Sequence, residues 1–494
     1  MSERDLKEAF VSHLNGTSLE EVALGSVLAP LCVINRGLIL ILYHQTKGTL
    51  QQSLPWISHF LLDFSVLVVP LILSCTVLSG VLHQVVISLT LIPACVLCFI
   101  YSTHNPSTWR RRNTVSTFLD SHIQINHVPF VTSFRVFVNV ETAISILAVD
   151  FAVFPRRYAK TENYGTGVMD YGVGAFVLAN ALVCPEARMK STSGSKVKHV
   201  TRQLLSVWPL LLLGVGRVVS MKMTGYHEHV TEYGVHWNFF FTLAVVRVAA
   251  SVLLAVFPVS YSWVFAFLIG GFYQLALEAS QLKAFIFSNS DRGKDFLHAN
   301  KEGLFSIIGY LAIYMAGVQI GLYVMRQRSR VREWLRVTCS LFLGSLVFYA
   351  ALWACQTLVE PVSRRLANVP FCLWSIAQSL YFMSCLSVID MVLLFTKRVS
   401  GCHLVPSSWN LCEKQSDSEH KRSETENPCL IQVVSRNQLL FFLLANLMTG
   451  LTNSIVDTLN STRVSSVCIL MLYMSINCIV VYVLHLCKIT IKFW

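Results

Sequence analysis

Two polar segments of this 494-residue chain carry side chains suited to group-transfer chemistry. The first runs from Ala148 to Gly167 and reads AVDFAVFPRRYAKTENYGTG. Its carboxylate, Asp150, is suited to taking a proton from a hydroxyl, and Lys160 to holding an anion or an oxyanion. Arg156 and Arg157 lie between them, either as phosphate contacts or as interface anchors, one of which pairs with Asp150. Asp170 stands just beyond, in the first turn of the next apolar run. The second segment, Gly225 to Asn238, offers His227, Glu228, His229, Glu232 and His236. An H-x-H beside a glutamate suits a metal or a general base near neutral pH, so His227 and His229 are reserve candidates. The zinc-protease spacing H-E-x-x-H is absent, because Thr231 stands where its second His would be. A third segment, His298 to Leu304, contains Asn300, a further polar candidate. The sequence holds neither a G-x-S-x-G elbow nor a P-loop. No metal site and no bound cofactor are expected.

The rest of the chain must position these groups, and its composition says in what medium. Hydrophobic residues make up 54% and charged residues 13%. A soluble protein needs roughly 25% charged residues to cover its surface, so most of this surface faces lipid. That excludes a soluble enzyme, a nucleic-acid binder and a disordered scaffold. The net charge of +12 then reads as basic cytosolic connections.

A membrane-spanning helix needs about 20 mainly apolar residues. Thirteen such runs are visible, at about 22–44, 56–76, 79–101, 131–153, 168–184, 203–221, 236–257, 262–280, 304–325, 336–358, 370–396, 437–457 and 465–487. The runs are too long for barrel strands. The expected fold is an all-α polytopic bundle, one integral membrane unit over 1–494. Three connections are strongly basic, around Arg110–Arg112, Arg188–Arg202 and Arg326–Arg336. They follow the third, fifth and ninth spans, which puts them on one side, the cytosol by the positive-inside rule. The N-terminal segment 1–21 is then lumenal and the C-terminus cytosolic. Residues 397–436 form the one long hydrophilic insert, expected as a flexible cytosolic loop with Ser416 and Ser418 as phosphorylation candidates. The sequons at Asn15 and Asn460 both fall on the lumenal side, as glycosylation requires. Of the 15 cysteines, none lies in a lumenal connection, so no disulfide framework is expected.

Ionisable residues inside the spans are few: Arg36, Asp63, Arg135, Glu141, Arg217 and Arg247. Each needs a partner or a cavity. Arg36 and Asp63 fall at similar depth on adjacent spans and are expected to pair. Arg135 and Glu141 are six apart on one helix and should each seek a different neighbour. Arg217 and Arg247 are candidates for lipid phosphate, since the guanidinium fork matches it.

Several long stretches resemble a known family. They are AVDF--FPRR-AKTE-YGTG-MD-GVG-FV, Y-EH-TEYGVHWNFFFT and NKEG---IGY-AIYMAGVQ-GLY, with KEAFVS-LNGTS at the start and FFLLANLMTGLTNSIVDTL near the end. These are similar to the class W proteins of phosphatidylinositol-glycan biosynthesis, the inositol acyltransferases of GPI-anchor assembly, and the similarity covers essentially the whole chain. The resemblance implies a multi-pass enzyme of the endoplasmic reticulum membrane with thirteen spans. It implies transfer of a fatty acyl chain, usually palmitoyl, from acyl-CoA (palmitoyl-CoA) to the inositol 2-hydroxyl of glucosaminyl-phosphatidylinositol. It further implies that the carboxylate and lysine of the family's Asp-to-Lys segment, here Asp150 and Lys160, carry the reaction. The other readings are a multispanning lipid or solute transporter, whose internal repeats are not seen, and a non-catalytic subunit of a GPI-assembly complex.

Overall fold

In hydrocarbon, every backbone N–H and C=O must be satisfied within the chain, which leaves helices as the economical solution for apolar runs. The computed structural model describes residues 14–47, 56–104, 115–125, 127–188, 196–224, 230–288, 292–402, 409–411 and 429–491. Each of the thirteen expected runs is helical. The first seven helices are α1 (Leu19–Lys47), α2 (Trp56–Ser74), α3 (Leu82–His104), α4 (Pro129–Ala148), α5 (Val168–Leu182), α6 (Lys196–Thr224) and α7 (Phe239–Val256). Then follow α8 (Ser262–Ala279), α9 (Lys301–Val324), α10 (Val331–Leu358), α11 (Val369–Ser400), α12 (Gln438–Ile455) and α13 (Arg463–Leu486). Twelve are long and apolar enough to cross a membrane. Only α5 is short, at 15 residues, or about 22 Å.

Contacts between the connections sort them into two ends. At one end, Thr17 N–H donates to the Thr166 carbonyl at 2.6 Å, Arg157 reaches the Ser79 carbonyl at 3.2 Å, and Arg365 reaches Asn163 at 2.8 Å. At the other end, Ile123 N–H donates to the Ser329 carbonyl at 2.7 Å, and Arg436 to the Lys488 carbonyl at 3.0 Å. Two three-residue strands, β1 (Ile123–Ile125) and β2 (Trp409–Leu411), pair antiparallel there, with Ile123 opposite Leu411. This alternation requires α5 to cross from one end to the other despite its length. It manages this because it faces protein: most of its residues, from Asp170 to Leu182, are buried. Small residues bring its neighbours close. A Cβ on Gly317 of α9 would lie 2.7 Å from the Ala181 Cβ, and one on Gly321 would lie 2.7 Å from the Leu182 carbonyl oxygen. This is the small-xxx-small spacing by which membrane helices approach backbone to backbone.

The helices most covered by protein are α1, α4, α9 and α11, while α3, α8 and α12 lie at the rim. Large apolar side chains turn outward on α6 (Leu205, Trp208), α8 (Phe267), α10 (Trp353) and α12 (Leu447). Within α2 the helix widens to a π-turn at Phe64–Val68 just before Pro70, whose ring nitrogen has no proton to donate.

The expected pair of Arg36 and Asp63 forms, and the second Asp63 oxygen accepts from Leu430 N–H at 2.7 Å. Arg135 and Glu141 differ from expectation. Neither makes an ion pair among the described residues, and Glu141 Oε1 is buried without a hydrogen bond. Within the expected loop 397–436, α11 runs on to Ser400, β2 occupies 409–411, and a helix spans Leu430–Arg436. Ser416 and Ser418 lie outside the described residues.

Candidate active site

Asp150 sits in the turn that ends α4, and Arg156 explains why the turn holds its shape. Helix termini leave carbonyls without intrahelical donors. The Arg156 guanidinium takes three of these local carbonyls, Val149 at 2.9 Å, Phe151 at 3.1 Å and Phe154 at 3.0 Å. Burial brings this guanidinium down to about 10, with the charge of Asp150 opposing the shift. The backbone of this turn thus holds Arg156 in place. Arg157 donates to Glu21 of α1 at 2.8 Å, and the Tyr158 hydroxyl donates to the same carboxylate at 2.7 Å.

Asp150 itself is half-buried and accepts a hydrogen bond from Asn453 Nδ2 of α12 at 2.7 Å. Lys160, also half-buried, forms an ion pair with Glu232 at 2.6 Å. Glu232 lies in the short helix Val230–Tyr233, which packs on α9. Lys160 therefore pairs with a distant glutamate rather than with Asp150. The two candidate groups share one connection, and each is held by a residue from a different part of the chain.

Beneath them lies a buried ionic layer. Asp170, completely buried, accepts from Thr161 N–H at 3.0 Å, the Thr161 hydroxyl at 2.9 Å and Gly167 N–H at 3.1 Å. Its other oxygen pairs with Arg364 Nε at 2.7 Å. Asp170 is thereby the closure of the 161–170 loop and the counter-ion of Arg364. Beside it, Glu302 receives Arg292 at 2.6 Å and Arg365 at 2.9 Å. Burial lowers Arg365 from its ordinary value, with Glu302 opposing. Asn300, fully buried, accepts from His236 N–H at 2.7 Å and donates to the Phe296 carbonyl at 2.9 Å, which ties the 230–238 segment to the start of α9. Gly165 and Gly234 adopt φ of +129° and +110°, and both press on neighbouring backbone, Gly165 on Asn15 and Gly234 on Asn300.

Of the other expected residues, Arg247 reaches Gln203 at 3.4 Å, a long contact away from this layer. Arg217 is half-buried on α6. His227 and His229 lie outside the described residues. Asn15 and Asn460 are exposed, both at the Asp150 end. Among the described residues, no cluster of His, Cys, Asp or Glu could hold a metal ion. Sequence reasoning passed over Arg364, Arg365, Glu302 and Asn453. The paired arginines beside a membrane end look like ordinary interface anchors, and Asn453 is one polar residue among several in α12.

The sequence profile of the GWT1 family matches residues 3–484. The chain is 44% identical over 508 residues to the bovine protein named glucosaminyl-phosphatidylinositol-acyltransferase PIGW, with both chains wholly covered. It is 42% identical over 515 residues to the human protein of that name, again across both full lengths. It is 34% identical over 498 residues to the GPI-anchored wall transfer protein 1 of Aspergillus oryzae, covering 95% of each. The chain belongs to the GWT1 family.

Proposed function

We propose that this chain is a membrane acyltransferase that moves a fatty acyl group, palmitoyl, from acyl-CoA to the inositol 2-hydroxyl of glucosaminyl-phosphatidylinositol. The observation that carries the reading is the pair of supported groups on one connection, Asp150 on Asn453 and Lys160 on Glu232. The names of the full-length relatives point to the same acceptor lipid.

Acyl transfer from a thioester needs a base and a stabiliser of the tetrahedral oxyanion. Asp150 takes the proton of the inositol hydroxyl as the oxygen attacks the thioester carbonyl carbon. The Lys160 ammonium stabilises the oxyanion. The C–S bond then breaks, the ester forms, and the CoA thiolate leaves with a proton. Asn453 orients the Asp150 carboxylate, and Glu232 holds Lys160 in reach. The exposed apolar rim of the bundle suits a fatty chain, since each buried CH₂ contributes about 0.8 kcal/mol. The end opposite Asp150 carries the basic Arg326–Arg336 connection, so the positive-inside rule makes that end cytosolic and the Asp150 end lumenal. The membrane is that of the endoplasmic reticulum.

The test is acyl transfer by purified protein in lipid micelles, with labelled palmitoyl-CoA and glucosaminyl-phosphatidylinositol. Wild type should yield acylated lipid, while Asp150→Asn and Lys160→Ala remain folded and yield at least about a hundredfold less. Equal activity in all three would refute the assignment of these residues. No product from pure wild type, against product from a membrane extract, would refute the enzymatic reading.

A further inference from the structure

One group of polar atoms next to the Lys160–Glu232 pair is left unsatisfied by the described residues. Arg364 is 3% exposed; its Nε pairs with Asp170, and its Nη2 reaches the Thr161 carbonyl at 3.4 Å. Its Nη1 has no hydrogen-bond partner among the described residues. Such a buried donor is costly to leave unmade. The charge of Arg364 acts on Tyr233 and Tyr310, both buried, and neither hydroxyl makes a hydrogen bond within the described protein. Tyr233 immediately follows Glu232, and it also feels the charge of Arg217. Arg217 forms no ion pair or hydrogen bond among the described residues, although it is half-buried in α6. An unpaired arginine in a membrane helix calls for an anion.

Among the described residues, Arg364 is matched by Asp170 and Lys160 by Glu232, while Arg217 has no carboxylate paired with it. A ligand with a single negative charge and several hydrogen-bond acceptors would complete the set. Arg217 lies seven residues before the end of α6, about 10 Å below that end of the bundle. The same helix exposes Leu211, Leu212, Val215 and Val219. Arg217, two positions from both Val215 and Val219, lies on the opposite face of the helix, turned away from that exposed stripe.

We propose that Arg217, Arg364 Nη1 and the hydroxyls of Tyr233 and Tyr310 form the subsite for the phosphodiester of the acceptor lipid. The subsite rests on the reading that the acceptor is an inositol phospholipid, and it adds which residues recognise that lipid. Arg217 supplies the unmatched charge. Arg364 and the tyrosines supply fixed donors, Tyr233 being held protonated by burial. Phosphate bound there lies beside Lys160, which places the inositol ring, directly bonded to that phosphate, at the Asp150–Lys160 connection.

The experiment uses the full chain in lipid micelles and two probes: dioctanoyl glucosaminyl-phosphatidylinositol, and its analogue with an uncharged methylphosphonate in place of the phosphodiester. Equilibrium binding and acceptor KM are measured for wild type, Arg217→Gln, Tyr233→Phe and Arg364→Lys. Wild type should prefer the charged lipid by about tenfold or more, as loss of a charge-assisted contact implies. Arg217→Gln should lose most of that preference while its KM for palmitoyl-CoA stays within about twofold. Arg217 has no hydrogen-bond or ion-pair partner among the described residues, so this variant tests the idea even if Arg364→Lys fails to fold. Full retention of the preference by Arg217→Gln, or an equal rise in both KM values, would overturn the subsite. Wild type that binds the charged lipid selectively but transfers no acyl group would sink the proposed reaction and leave the phosphate subsite standing.

Discussion

Replacing Asp170 by asparagine should be among the most damaging single-atom changes in this protein. The perturbation removes one charge from a completely buried pair. Asp170 uses both oxygens: one accepts from Thr161 twice and Gly167 once, and the other faces Arg364 Nε at 2.7 Å. Asparagine has one oxygen. If that oxygen keeps the Thr161 and Gly167 contacts, its NH₂ confronts the Arg364 guanidinium donor to donor. If it turns to Arg364, three donors lose their acceptor. Either way Arg364 stays buried with its charge uncompensated, which costs about 3–5 kcal/mol. Asp170→Asn with Arg364→Met removes the stranded charge, so the double variant should recover about 2 kcal/mol or more relative to the sum of the single changes. Unfolding by titration with a denaturing detergent in mixed micelles measures each corner of the cycle. A cost for Asp170→Asn below about 1 kcal/mol, or a coupling below about 0.5 kcal/mol, would refute the claim that this pair anchors the 161–170 loop.

Other outcomes follow from the same geometry. Gly317→Leu should destabilise by about 1–3 kcal/mol or more, because even its Cβ would stand 2.7 Å from the Ala181 Cβ; Gly271→Ala, with nothing within 4 Å, should be neutral or slightly stabilising in the same titration. Glu360 accepts from Gln274 at 2.6 Å and pairs with Lys283 at 2.9 Å. Burial pushes its carboxyl up, but these partners prevail and hold it below its ordinary 4.5. Its contribution to stability is therefore complete at neutral pH and fades as pH falls below about 4.5 through the lower folded value. Glu360→Gln should flatten that acid limb of a melting-temperature profile, and an unchanged limb would show that other groups cause it. Glu141→Gln should leave stability unchanged or raise it, since Glu141 Oε1 has no partner to lose; a loss above about 2 kcal/mol in the detergent titration would contradict this.

Most of the architecture was legible in the chain, and α5 shows both the strength and the limit of that reading. Its apolar run is visible at 168–184, yet a 15-residue helix alone does not reveal whether it crosses the bundle. Crossing follows from the contacts of its two ends and from the close approach of Gly317 and Gly321. The candidate site divides the same way. The types and spacing of Asp150 and Lys160 mark the segment, but their partners are Asn453 and Glu232, which lie 303 and 72 positions away. Arg156 could be a phosphate contact or an interface anchor by type, and its bonds to the carbonyls at the end of α4 appear only in the folded chain.

The sequence by itself determined the medium, the helical class and the positions of the apolar runs. Backbone desolvation leaves an apolar run of 20 residues little alternative to a helix, so these follow from local composition. Only the tertiary structure decided which cation meets which carboxylate. Asp170 takes Arg364 across 194 positions, Lys160 takes Glu232, and Arg217 makes no ion pair among the described residues. At a membrane end, charged side chains are interchangeable by type. Burial and distance, set by which segments the bundle brings together, select the pairs.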